Sequence, residues 1–355
     1  MPTLTSNLIE VEDSWEAAND WFLKEKLSDG LPIVPPTLER VEHMLNGTDR
    51  DPQEVVGPIP PKWAPCSIEK IAINAVMAGC APEYLRVIIA AVEAICEPRF
   101  NLYGVQATTG YVGPALLLNG PIRTDLNVNC DAGVFGPGFR ANATIGRAIR
   151  LILITVGGGY PGDTDRSTFG WPGKYTMCFG ENQEKSPWEP YHVEFGFEPD
   201  QSTVTVFGIN GFLPIHTAGN TGEQALSSLA DVIKMHHGVS HLDVGSFGGG
   251  TPLIALGVED AEIMVRDGIS KKQIKEYLWH HASLKFAEVS ARRKGHKNDE
   301  ELLKESPNVT PDHVVHLSTK PEDIMVIVCG GKHRHSVFLP MWTGRNTLAV
   351  IKLIR

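Results

Sequence analysis

Two stretches of this chain run through the same order of elements, and nothing else in the sequence narrows the possible folds as much. Residues 88–158 and 226–331 each read as helix, glycine-rich turn, apolar strand opening at a proline, second helix, second strand and glycine cluster. In the first stretch these are IIAAVEAI, QATTGYVG, PALLLNGPI, RANATIGRAIRL, ILITV and GGG. In the second they are LSSLADVIKMHH, DVGSFGGG, TPLIALG, SKKQIKEYLWHH, IMVIV and CGG. Pro114 and Pro252 stand at matching points, each followed by an apolar run and a glycine, as expected where a buried strand begins and then turns. The expected fold class is α/β: two similar halves, a pseudo-repeat, around mostly parallel sheets, with a cleft between them.

Three units follow from this pattern. Residues 1–60 form an N-terminal helical cap, with an amphipathic helix at 14–26, a turn at DGLPIVPPT and a short helix at 37–45. Residues 61–210 form the first α/β half. Ser67 is placed to cap a helix ended by Gly79, and Pro82 to open the next one. This half carries a β-rich extension from Trp171 to Gly208, in which KYTMCFG, YHVEFGF and STVTVFG alternate with the period of half-exposed strands. Residues 211–355 form the second half, with a charged helical arm near 286–308.

Charge excludes one class of partner. A formal net charge of -10 over 355 residues opposes the phosphate neutralisation on which nucleic-acid affinity rests. No apolar run reaches the roughly 18 residues needed to span a bilayer, and the N-terminus lacks signal-peptide character, so a cytoplasmic protein with no membrane partner is expected. The six cysteines show no CxxC spacing, which argues against a disulfide framework or a structural zinc site.

Among the cysteines, Cys80 stands at the expected start of a helix, where free N–H groups and the helix dipole favour a thiolate nucleophile. His216, in a Gly/Thr loop at the equivalent point of the second half, is placed as its acid or base, with His335 as the other choice. GVFGPGFRANATIGRA offers an anion site through Arg140, with Asn142 or Thr144 capping the helix. The loop after ILITV carries Asp163, Asp165, Arg166 and Lys174. Its counterpart CGGKHRHS carries His333 and Ser336, and Asn220 precedes the helix opening the second half. Neither glycine pattern matches the phosphate-binding GxxxxGK[ST] or the dinucleotide GxGxxG, so no ATP or NAD is inferred. His236, His237 and His241 form a separate cluster with an i, i+4 pair, the spacing of helical ligands for a divalent zinc or iron ion.

Taken together, SIEKIAINAVMAGCAPEYLRVIIAAVEAI, GPGFRANATIGRAIRLI and SPWEPYHVEFGF resemble a family of uncharacterised bacterial proteins over most of the chain. More distantly, the chain is similar to the UGSC-motif (seleno)proteins, although it has no UGSC motif. That resemblance implies a thioredoxin-like, thiol or redox character and transfers no site residue.

The expectation from the residues is an enzyme acting on a small anionic organic substrate in the inter-half cleft, with Cys80 as nucleophile. Hydrolysis, elimination and reductive cleavage all fit, and no cofactor is assigned. One alternative is a metal-dependent hydrolase or lyase built on the clustered histidines. The other is a non-catalytic subunit of a complex, and in every reading the chain is a homo-oligomer or has a partner subunit.

Overall fold

The computed structural model describes residues 4–240, 250–288, 310–342 and 347–355, the side chains of 237–240 excepted. The chain begins with helices α1 (Trp15–Lys24) and α2 (Leu38–Leu45), hairpin strands β1 (Val55–Ile59) and β2 (Ala64–Ser67), and helices α3 (Ile68–Ala78), α4 (Leu85–Cys96) and α5 (Leu102–Ala107). It continues with β3 (Gly113–Asn119), α6 (Ile122–Asp125), α7 (Arg140–Thr155), β4 (Cys178–Gly180), β5 (Thr203–Ile209) and β6 (Leu213–His216). The remainder is α8 (Gly222–Ser240), β7 (Leu253–Leu256), α9 (Val258–Arg266), α10 (Lys271–His281), the short strands β8 (Leu284–Lys285) and β9 (Val314–Val315), then β10 (Met325–Val328), β11 (His335–Leu339) and β12 (Val350–Leu353).

Local signals set several of these elements. The hydroxyls of Ser14, Thr37 and Ser67 accept from Ala17, Arg40 and Lys70 N–H respectively, each satisfying a donor that the first helical turn leaves free. Gly79 closes α3 with a left-handed φ of 85°, which a glycine adopts without the Cβ penalty. Pro82 opens a 3-10 turn instead of an α-helix, and α4 starts three residues later at Leu85.

The core is four-layered. One sheet has strand order β12-β5-β3-β4 and the other β6-β11-β7-β10. Alternate residues of each strand point to opposite faces. Ala115, Leu117, Phe179 and Phe207 of the first sheet meet Leu253, Ala255, Met325, Ile327 and Leu339 of the second, which makes the middle layer of contact. The intervening residues Leu116, Leu118, Val204 and Val206 face α3, α4 and α7. Ile254, Leu256, Val326 and Phe338 face α8 and α10. Burial on both faces explains why PALLLN is continuously apolar.

Strand directions correct the sheet expectation: both sheets are mixed. In each, one parallel pair (β3 with β4, β7 with β10) is followed by two antiparallel pairs. The outermost antiparallel strand is exchanged. β6 follows β5 in the chain yet pairs with β11 in the second sheet, and β12 follows β11 yet pairs with β5 in the first.

Three element expectations also change. ILITV is not a strand but the last turns of α7 and the residue after them, because Leu151, Ile152 and Leu153 are buried all round the helix and an apolar run of that kind has no diagnostic period. YHVEFGF forms a short 3-10 helix, Tyr191–Phe195. The segments around Cys178 and Thr203 do form strands, but β4 and β5 belong to the main sheet beside β3 and not to an extension. The charged arm falls largely on 289–309, outside the described residues. Among the described residues no helix is long and apolar enough to cross a membrane.

The N-terminal cap is fastened at two points. The Glu69 carboxylate, nearly fully buried, accepts from Thr5 N–H at 3.0 Å, Ser6 N–H at 2.8 Å and Gln53 Nε2 at 2.7 Å. Farther along, Arg147 makes a two-point ion pair with Asp29, Nε to Oδ2 at 2.8 Å and Nη2 to Oδ1 at 2.9 Å, and also donates to Pro32 O.

Candidate functional site

Helix α7 lies unusually close to the chain that enters β4. A Cβ on Gly146 would stand 2.5 Å from Thr176 Oγ1 and 2.7 Å from Met177 N, so only glycine permits this approach. One turn later on the same face, Arg150 Nε donates to Lys174 O at 2.6 Å. This contact fixes the loop 157–175 against the end of the helix and opens a cavity of about 480 Å³ between that loop, α7 and the cap segment Ser28–Gly30.

A buried ionic cluster lines the cavity. Lys174 Nζ is 2.6 Å from Asp165 Oδ2 and 2.5 Å from Ser167 Oγ. Ser167 Oγ has two acceptors in reach, Asp165 Oδ1 at 2.7 Å and Gly110 O at 2.9 Å. Burial works against the Asp165 carboxylate, but the Lys174 ammonium and Ser167 hold it below its ordinary range. Burial, then the nearby Arg150 charge, lowers Lys174, and Asp165 opposes that shift. The pair is ionised, because each charge has its partner at hydrogen-bond distance.

Arg150 is different. Burial lowers its pKa, and the charges of Asp165 and Asp29 only partly offset this. Its Nε is used on Lys174 O, whereas Nη1 and Nη2 have no hydrogen-bond partner among the described residues. A half-buried guanidinium facing a cavity with two free donors is a ready site for a carboxylate or phosphate oxygen pair. Tyr160, Phe169, Trp171 and Tyr175 complete the walls.

The cavity sits at the amino end of the parallel strands, not at the carboxyl end, where a loop leaving a strand ILITV would lie. Since ILITV belongs to α7, the glycine-rich loop leads into β4 instead of out of a strand, and Lys174 lies against Gly113 at the start of β3. At the carboxyl end the two sheets touch, with Asn182 N–H donating to Val328 O. That end is filled: Arg123 spans Gly120 O, Glu181 O, Gln183 and Glu184, while Lys271 bonds Glu194 at 2.9 Å. The two glycine-rich loops therefore stand at opposite ends of the sandwich and share no cleft.

Of the expected site residues, Asp165 and Lys174 line this cavity. Cys80 is buried behind Gly79, its Sγ donating to Thr144 O at 3.3 Å, and burial pushes the thiol up to about 12. A thiol so protonated is the opposite of a nucleophile. Arg140 is spent on the end of α3, donating to Gly79 O at 3.0 Å and Cys80 O at 3.2 Å. Neither Asn142 nor Thr144 caps α7, which has Phe139 at its N-cap and no side-chain cap bond. Asn142 instead clamps Asn129, through both N–H and carbonyl, and Thr144 bonds back to Arg140 O. Asp163 and Arg166 are exposed and outside the cavity lining.

The residues expected from the second half gather elsewhere. His216 on the edge strand β6 and His335 on β11 are cross-strand partners with ring centroids 4.1 Å apart, and His333, just before β11, lies 6.0 Å from His335; all three are exposed. Cys80 packs among the helices over the first sheet, so it and these histidines form no joint site. Ser336 is buried, donating to Asp260 Oδ2 at 2.6 Å and accepting from Gly257 N–H, which ties β11 to α9. Asn220 uses its backbone at the start of α8, its N–H on Gln224 and its carbonyl on Arg266. The His236 ring packs edge-on against Phe338 at 5.7 Å, and burial lowers its pKa. His241 and the side chain of His237 lie outside the described residues, and no group of three metal-capable side chains occurs among those described.

Arg150, Ser167 and Trp171 carried no sequence signal of their own, because their grouping depends on the Gly146 contact. Searches against protein-family models, curated proteins and solved structures find no match for this chain, so its site rests on this geometry alone.

Proposed function

We propose that this chain is an enzyme that acts on a small organic anion held in the cavity between the N-terminal cap, α7 and the loop 157–175. The observation that carries this reading is Arg150, a half-buried cation whose two terminal nitrogens have no hydrogen-bond partner among the described residues and which lines a cavity large enough for a metabolite-sized ligand. Lys174 supplies the proton-transfer group. It is held as an ammonium by Asp165, while burial and Arg150 make its proton easier to release, the combination a general acid needs. An anion on Arg150 cancels the like charge acting on Lys174, so binding and acidity are coupled. Ser167, between Lys174 and Asp165, keeps the ammonium aimed and passes a hydrogen bond to Asp165 or Gly110 O.

The matched sheet orders and the exchanged strands support reading the two α/β halves as a duplicated unit in which only the first has opened a ligand cavity. The test of the functional reading is calorimetric titration of the full chain with acetate, citrate and phosphate at fixed ionic strength. Wild-type protein binds at least one of them, and Arg150→Met loses that binding while keeping its melting temperature within a few degrees. Absence of anion binding by the wild type, or equal binding by the variant, rejects the reading.

A further inference from the structure

We infer that the anion taken by this cavity is a monoanionic aryl carboxylate, an inference that rests on the anion-binding reading above. The first argument is charge. Within the cavity walls Lys174 is neutralised by Asp165 at 2.6 Å, and Asp29 by Arg147 at 2.8 Å, which leaves Arg150 as the one unbalanced cation among the described lining residues. One surplus positive charge with a planar pair of free N–H donors matches a single carboxylate. A phosphate monoester at neutral pH carries close to two negative charges, and the second would lie in a partly buried wall without a counter-charge.

The second argument is the wall chemistry. Four aromatic side chains, Tyr160, Phe169, Trp171 and Tyr175, line the same cavity. Phe169 is 86% exposed, a large apolar side chain left in solvent at the mouth. Tyr175 beside it is also exposed. Trp171 is pinned with its ring over Gly173, where an added Cβ would fall only 2.1 Å from the ring, so it presents a fixed surface. Its buried Nε1 has no hydrogen-bond partner among the described residues. Lys26 already lies over the Tyr160 ring at 5.2 Å, so Phe169, Trp171 and Tyr175 are the rings free to meet a ligand. A flat aromatic body gains edge and stacking contacts with such walls that a puckered aliphatic ring of the same size does not.

The experiment is titration of the full chain by calorimetry with 3-phenylpropanoate, 3-cyclohexylpropanoate, 3-phenylpropanol and phenyl phosphate, at one pH and ionic strength. The expected order has 3-phenylpropanoate at least tenfold tighter than each of the other three. Phe169→Ala and Tyr175→Ala, both surface changes that leave the core intact, each reduce the preference for phenyl over cyclohexyl by two- to tenfold without weakening 3-cyclohexylpropanoate. Equal affinity for the phenyl and cyclohexyl acids overturns the aryl class and leaves the anion cavity standing. Tighter binding of phenyl phosphate overturns the carboxylate assignment alone. Equal binding of 3-phenylpropanol, or no binding of any probe, overturns the anion reading together with this one.

Discussion

Replacing Asp165 with Asn separates stability from ligand affinity in opposite directions. The substitution keeps the side chain's shape but removes the one negative charge balancing Lys174, whose side chain is only 14% exposed, and leaves it beside Arg150. Breaking one partner of a buried pair costs about 3–5 kcal/mol. With an unfolding entropy of about 2.1 cal/mol/K per residue, 355 residues give roughly 0.75 kcal/mol/K, so the melting temperature should fall by about 4–7 °C. The same surplus charge attracts an anion on Arg150. Even discounted for a cavity open to water, one extra unit charge a few ångströms away is worth about 1–2 kcal/mol, a five- to thirty-fold gain in anion affinity. Scanning fluorimetry in the presence and absence of 3-phenylpropanoate reads both effects. An anion at about 100 times its Kd restores roughly 2.7 kcal/mol, or about 4 °C. A variant that is fully stable and binds anions no better than wild type would refute the electrostatic account of the cavity.

Three further outcomes follow from other parts of the molecule. Burial penalises the Glu69 carboxylate, but its bonds from Ser6, Thr5 and Gln53 hold it down at about 2, so its contribution to docking the N-terminal arm is complete above the ordinary carboxylate range near pH 4.5 and is lost as pH falls toward 2. Protection of the Thr5 and Ser6 amides, measured as exchange relative to the intrinsic rate at each pH, should fall across that window, and in Glu69→Gln it should already be low at pH 7; protection independent of pH and of the variant removes the clamp from the argument. Iodoacetamide at pH 8 should leave Cys80 unmodified in native protein and label it in guanidinium, read by peptide mass mapping, since burial raises that thiol to about 12; native labelling contradicts the burial. A chain ending at Ala349 loses β12 and the buried side chains Val350 and Ile354, worth about 3–6 kcal/mol together, and should melt lower and associate through the bared edge of β5; an unchanged melting temperature with a single monomeric peak on gel filtration counts against the exchanged-strand topology.

What was legible in the sequence was what neighbours in the chain decide. Ser67 and Gly79 act on donors and carbonyls within a few residues, so their caps were readable and are found in place. Pro114 and Pro252 marked β3 and β7 because a buried strand must begin somewhere a missing N–H does no harm. What failed depended on distant partners. An apolar run such as ILITV is the same in a wholly buried helix as in a strand, and that one error turned the glycine-rich loop to the wrong end of the sheet. Cys80 reads as a helix-start thiol until the 3-10 turn at Pro82 and the packing of α7 are known. Lys174 was picked for its loop, but Arg150 was passed over, since only the closeness of Gly146 to Thr176 brings it to that loop. VIKL near the C-terminus carried no sign that its partner strand begins at Thr203.

The exchanged strands also bear on how this chain is made. β5 is complete at Ile209, but its edge partner β12 begins at Val350, about 140 residues later. At roughly 5–20 residues per second of synthesis, the first sheet waits on the order of ten seconds or more with an unpaired apolar edge. During that interval the strand that leaves the ribosome next, β6, must stay unpaired in turn until β11 appears. The second sheet cannot gain β11 before Leu339 is made, nor the first gain β12 before Leu353, so the newborn chain passes through a long stage with open strand edges.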